Sequence, residues 1–137
     1  MSDRQIITII GARVIPGRSR GRKIGVPTIN LDPMQGPKNL SHGIYACLIT
    51  IAGKKHKGAM HYGPRPVFHD TVTLEIHVLD EAIGVVPESV DVTIVGRIRD
   101  VQDFSNVEGL QEAIASDISA ARAILKAYES DSKKADS

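Results

Sequence analysis

Between two apolar segments the chain carries Gly17-Arg18-Ser19-Arg20-Gly21-Arg22-Lys23-Ile24-Gly25-Val26-Pro27-Thr28-Ile29-Asn30, with three glycines, four cations and a Pro-Thr-x-Asn end. Glycine, lacking a Cβ, lets main-chain N–H groups close on an anion, and arginine or lysine beside such a concave nest adds charge. The composition suits phosphate. If residues 27–31 are extended, Thr28 and Asn30 share one face while Ile29 takes the other. A hydroxyl and an amide carbonyl beside a polyphosphate suit magnesium, which keeps octahedral oxygen coordination with only one or two protein ligands. A plainer reading stays open on these residues: a solvated hairpin loop, a strand entry at Pro27-Thr28 and a turn-forming Asn30. No Gly-Lys-Ser/Thr ends the run, so it is not a Walker loop.

A carboxylate for proton transfer is offered by Glu75. Residues 71–79 alternate, with Val72, Leu74, Ile76 and Val78 on one face and Thr73, Glu75, His77 and Leu79 on the other. By pattern alone Glu75 reads as a surface glutamate in a cross-strand pair. His77 shares that face and could position Glu75 or a phosphate, but more often such a histidine is simply solvated. Among the cations, Arg22 has the forked donors that match phosphate oxygens, whereas Arg18 and Arg20 read equally well as pointing into water.

The elements that must position these groups fit a single domain of 137 residues. Apolar residues make up 42% and charged residues 24%, a globular rather than a disordered balance. Net charge is only +1, so no global field draws the chain to nucleic acid or to anionic lipid. Lys54-Lys55-His56-Lys57 reads as a solvated hairpin tip. Cys47, the one cysteine, has no partner for a disulfide and sits among apolar neighbours as core filler. No apolar run is long enough to span a membrane and the first residues lack a signal-peptide plan, so a cytoplasmic protein is expected.

Strands are predicted at 5–15, 24–31, 43–51, 57–61, 71–79 and 90–97, with a hairpin closed near Gly53-Lys54 and pairing interrupted at Gly63-Pro64-Arg65-Pro66. A helix follows, opened by a possible capping box over Ser105-Asn106-Val107-Glu108. Its apolar stripe runs through Val107, Leu110, Ile114, Ala121, Leu125 and Tyr128. The domain is expected over 1–128, with a disordered tail over 129–137. Six short strands and one long helix favour a small antiparallel barrel with a helical cover, since closure removes exposed edges.

The glycine-rich segment resembles the signature of the riboflavin kinase family, Gly-x-x-Val-x-x-Gly-x-x-x-Gly-Arg-x-x-Gly-x-Pro-Thr-x-Asn. Gly11, Val14, Gly17, Gly21, Arg22, Gly25, Pro27, Thr28 and Asn30 fill it. The likeness continues through Gly43-Ile44-Tyr45-Ala46, Gly63-Pro64-Arg65-Pro66-Val67-Phe68, Leu74-Glu75-Ile76-His77-Val78-Leu79 and Val92 to Arg99, and ends in Phe104-Ser105 and the helix carrying Asp117. It spans Gly11 to about Leu125. Several separated blocks in the right order are more specific than any one of them.

The resemblance implies a mainly β fold, a six-stranded antiparallel Greek-key barrel with a C-terminal covering helix. It implies transfer of the ATP γ-phosphate to the ribityl 5′-hydroxyl of riboflavin, giving FMN and ADP, with magnesium. By the same likeness Thr28 and Asn30 would hold the metal, and Gly17, Gly21, Arg22, Gly25 and Pro27 would line the nucleotide phosphates. Glu75 would accept the hydroxyl proton. Tyr62, Phe68, Phe104 and residues 80–89 are available for an apolar flavin slot, which Arg99 would border. The family's usual Asn-x-Gly becomes His61-Tyr62-Gly63, its Arg-Pro-Thr-Phe carries Val67, and its Arg-x-Glu becomes Arg99-Asp100-Val101. These departures sit on the expected flavin side.

Many bacterial relatives fuse this kinase to an FMN adenylyltransferase. A chain of this length has no room for that second site and is expected to stop at FMN, as a monomer. Two other readings are carried. One is a non-catalytic flavin or nucleotide binder on the same barrel. The other is a small RNA-binding barrel, which the lack of interleaved aromatics and the near-neutral charge disfavour.

Overall fold

Six strands and one long helix form the computed structural model: β1 (Ile7–Arg13), β2 (Thr28–Leu31), β3 (Gly43–Ile51), β4 (Lys54–Pro64), β5 (Val72–Val78), β6 (Ser89–Arg99) and α1 (Val107–Ala135). It describes residues 6–15, 27–64, 72–79, 83–102 and 104–135, with the backbone alone over 132–135. The strands lie in the order β1-β6-β3-β4-β5-β2, and every pair is antiparallel. The two ends of the sheet meet in a bridge between Val14 and Leu31. There the Ile15 N–H donates to the Asn30 carbonyl at 2.9 Å, and the Asp32 N–H donates to the Arg13 carbonyl at 3.0 Å. The expected barrel with a helical cover is what the chain forms.

Alternation along the strands sorts side chains onto two faces. Inside lie Ile29, Leu31, Tyr45, Cys47, Ile49, Met60, Leu74, Ile76, Val92 and Ile94 in one buried cluster. On the outer face Ala46, Leu48, Ala59, Leu79 and Val95 pack against Ala121 and Leu125 of α1. Small residues let the helix come close. A Cβ built on Gly96 would lie 3.0 Å from Ile124.

Several boundaries differ from those read in the sequence. The β3–β4 hairpin turns on Ala52 and Gly53, at φ 50° and 81°, the pair of positive values a tight two-residue turn demands. β4 therefore starts at Lys54, and its alternation turns His56 into the buried interior while Lys54 and Lys55 stay exposed. Lys57 Nζ lies 4.0 Å from Glu129 on the helix, so this cluster is not uniformly a solvated tip. Pairing also continues past the expected break, with Gly63 opposite Thr73 and Pro64 opposite Val72. Pro64 is the last residue of its strand, where a missing N–H disrupts little.

The start of the helix departs from the capping box. Asn106 supplies the cap, its Oδ1 accepting from the Gly109 N–H at 2.7 Å. At the other end α1 runs on to Ala135, where the sequence reading expects a tail from 129. Lys133, Lys134 and Ala135 are good helix formers, which lets the last turns persist.

Candidate active site

The β2–β5 register places Asn30 opposite Glu75 and Thr28 opposite His77. With Ile29 and Leu31 buried inside, Thr28 and Asn30 take the opposite face, each half-buried. On β5 the same logic sends Leu74 and Ile76 inward, and Glu75 and His77 to the face shared with Thr28 and Asn30. The β4–β5 ladder adds His61 opposite Glu75 and Ala59 opposite His77. Two rows thus cross the sheet, Asn30–Glu75–His61 and Thr28–His77–Ala59. Direct antiparallel pairs bring Cβ atoms to about 4.5–5.5 Å, so the first row is a contiguous polar strip. Ile44 pairs with both His61 and Arg99, which carries that row on to β6.

At its far end the strip is tied to the helix. Arg99 donates from Nε to Asp117 Oδ1 at 2.7 Å and from Nη2 to Oδ2 at 2.8 Å, a forked pair. The Asp117 side chain is only 8% exposed and that of Arg99 24%. The Arg99 guanidinium carbon lies 5.8 Å from the centre of the Phe104 ring. Tyr62 instead turns toward the interior, packing edge-on against His42 at 5.2 Å between ring centres.

Both histidines beside Glu75 are held neutral. Burial, followed by the nearby His77 and Arg99, pushes the His61 pKa down to about 4. Burial also lowers that of His77, against the pull of Asp117. His77 is thus not the solvated side chain its pattern suggests. Its Nδ1, like His61 Nε2, is buried with no hydrogen-bond partner among the described residues. His61 Nδ1 lies 3.3 Å from the Thr73 hydroxyl, which also reaches the Gly63 carbonyl at 3.4 Å.

A magnesium ion suits the donor set on β2. Thr28 and Asn30 offer two neutral hard oxygens, two residues apart on one face, with the Glu75 carboxylate on the neighbouring strand. Among the described residues no trio of His, Cys, Asp or Glu gathers into a metal cage. An ion held at Thr28 and Asn30 would complete its shell with water and phosphate oxygens.

Of the residues singled out in the sequence, the fold brings Thr28, Asn30 and Glu75 together, with Pro27 at the strand entry accepting from the Val78 N–H at 2.9 Å. Gly17, Gly21, Arg22, Gly25 and Phe68 lie outside the described residues. The sequence gives Thr73 and Asp117 no role in the site, and His61 only a place among the departures on the expected flavin side. Their place in it depends on cross-strand register and on where the helix docks, and neither leaves a mark in a single sequence.

A family model described as riboflavin kinase matches residues 6–125. The chain belongs to the riboflavin kinase family. It is 34% identical over 116 residues to the RNA-binding riboflavin kinase RibR of Bacillus subtilis, covering 82% of this chain and 49% of that protein. With the bifunctional riboflavin kinase/FMN adenylyltransferase of Pseudomonas fluorescens it shares 32% identity over 117 residues, covering 84% of this chain and 37% of the relative. The chain therefore spans half or less of the length of these curated relatives. The riboflavin kinase of Trypanosoma brucei has the same fold, with a TM-score of 0.58 at 22% identity over 91% of this chain and 83% of that one. Among the described residues no helix is long and apolar enough to cross a membrane.

Proposed function

We propose that this chain transfers the γ-phosphate of ATP to the ribityl 5′-hydroxyl of riboflavin, giving FMN and ADP. The observation that carries the reading is the direct opposition of Asn30 and Glu75 across β2–β5, with Thr28 on the same face. Phosphoryl transfer to an alcohol needs charge neutralisation on the nucleotide, in-line placement of the hydroxyl and a proton acceptor. Thr28 and Asn30 would hold magnesium, which neutralises charge on the phosphates when bound. Gly17, Gly21, Arg22, Gly25 and Pro27 would line the phosphates from the segment that precedes β2 in the chain.

Glu75 orients the attacking hydroxyl and accepts its proton as the oxygen–phosphorus bond forms and the bond from the β–γ bridging oxygen to the γ-phosphorus breaks. In a loose transition state little deprotonation is needed early, so orientation is the larger part of its work.

Purified protein mixed with riboflavin, ATP and magnesium should yield FMN by chromatography. Glu75→Gln should lower turnover by about 10²-fold or more while riboflavin still binds. Riboflavin binding by the unaltered chain without any FMN would replace this reading with a non-catalytic flavin binder.

A further inference from the structure

We propose that His61 binds the alcohol substrate, its Nε2 accepting a hydrogen bond from a hydroxyl of the polyol chain next to the one that is phosphorylated. The inference rests on the riboflavin kinase reading above and adds a residue to the same site. His61 stands directly opposite Glu75, so whatever presents a hydroxyl to that carboxylate passes beside the imidazole.

The ring proton is assigned to Nδ1, the tautomer in which Thr73 gives its own proton to Gly63. Thr73 has one hydroxyl proton and the Gly63 carbonyl, at 3.4 Å, accepts it. The Thr73 oxygen, 3.3 Å from His61 Nδ1, is then an acceptor for an Nδ1–H. Nε2, the other nitrogen of a neutral imidazole, is left with a bare lone pair. It is buried and has no partner among the described residues.

A desolvated acceptor without a partner is costly, and a ligand group that satisfies it regains that cost on binding. A bare lone pair repels a carboxylate or a phosphate oxygen but accepts from an alcohol. A chain bearing several hydroxyls can give one to His61 and another to Glu75. Through Nδ1 the Thr73 contact holds the ring in place, so the acceptor is positioned before the substrate arrives.

The test uses the whole chain and two replacements that split the ring's two nitrogens. His61→Asn keeps a polar atom near the Nδ1 position and loses the one at Nε2, whereas His61→Gln carries a carbonyl oxygen toward the Nε2 position. Dissociation constants for riboflavin and for lumiflavin, which lacks the polyol chain, are read from flavin fluorescence. His61→Asn should weaken riboflavin about tenfold and leave lumiflavin unchanged, and His61→Gln should recover most of the loss. In turnover the KM for riboflavin should rise while the KM for ATP holds.

An unchanged riboflavin-to-lumiflavin ratio in His61→Asn overturns the proposal. So does a His61→Asn protein that binds riboflavin as well as His61→Gln, because that ranking marks the Thr73 contact as what matters. Failure of the unaltered chain to bind riboflavin defeats the functional reading itself, and this inference with it.

Discussion

Asn30 and Glu75 face each other across the β2–β5 ladder, so an amide and a carboxylate 45 positions apart in the chain share one face of the barrel wall. The pairing puts the proposed metal ligand and the proposed proton acceptor on separate strands and one face. Replacing Asn30 with Ala should remove one oxygen from the cation without touching the acceptor site. The magnesium concentration giving half-maximal FMN formation should rise about tenfold, with the KM for riboflavin little changed. A magnesium titration that overlays that of the unaltered protein would take Asn30 out of the metal site.

Asp117 and Arg99 tie the helix to the sheet through a partly buried forked pair. Removing Asp117 leaves the partly exposed Arg99 without its forked acceptor, so Asp117→Ala should destabilise the fold by about 1–3 kcal/mol. Urea denaturation with unchanged slope should show it. A loss below about 1 kcal/mol would mean that Arg99 finds water at little cost.

Acid should weaken the fold through His61. Its folded pKa of about 4 lies below its ordinary value of 6.5, so between those limits the unfolded chain binds the proton and the folded chain does not. The contribution is complete above about pH 6.5 and is lost as pH falls toward about 4. His77 acts in the same direction. The pH dependence of the melting temperature should be shallower over this window in His61→Asn than in the unaltered chain.

Cys47 is fully buried in the barrel, and burial pushes its thiol up to about 12. A thiol without thiolate and without access should not react. A chromogenic disulfide reagent should titrate no thiol in the native protein and one after denaturation. Fast labelling of the native protein would show that the barrel opens readily.

Much of the architecture was legible before the coordinates. The strict alternation of 72–78 separates Leu74 and Ile76 from Glu75 and His77 whatever the strand pairs with, because a period of two is a property of the backbone. Thr28 and Asn30 share a face for the same reason. The Pro-Thr-x-Asn and Glu-x-His blocks carried the family, which the match over 6–125 bears out. Boundaries were less legible. Gly63 and Pro64 look like breakers, yet they pair because Thr73 and Val72 lie opposite them.

Local periodicity, then, specified which side chains could act together along each strand. Which strand meets which, and in what register, is settled by closure of the barrel and by α1 docking on its outer face. Only that long-range packing places Asn30 and His61 on either side of Glu75, and burial in the folded chain is the largest cause of the lowered pKa of both histidines. Desolvation belongs to the folded surroundings of a residue, and no residue type carries it alone.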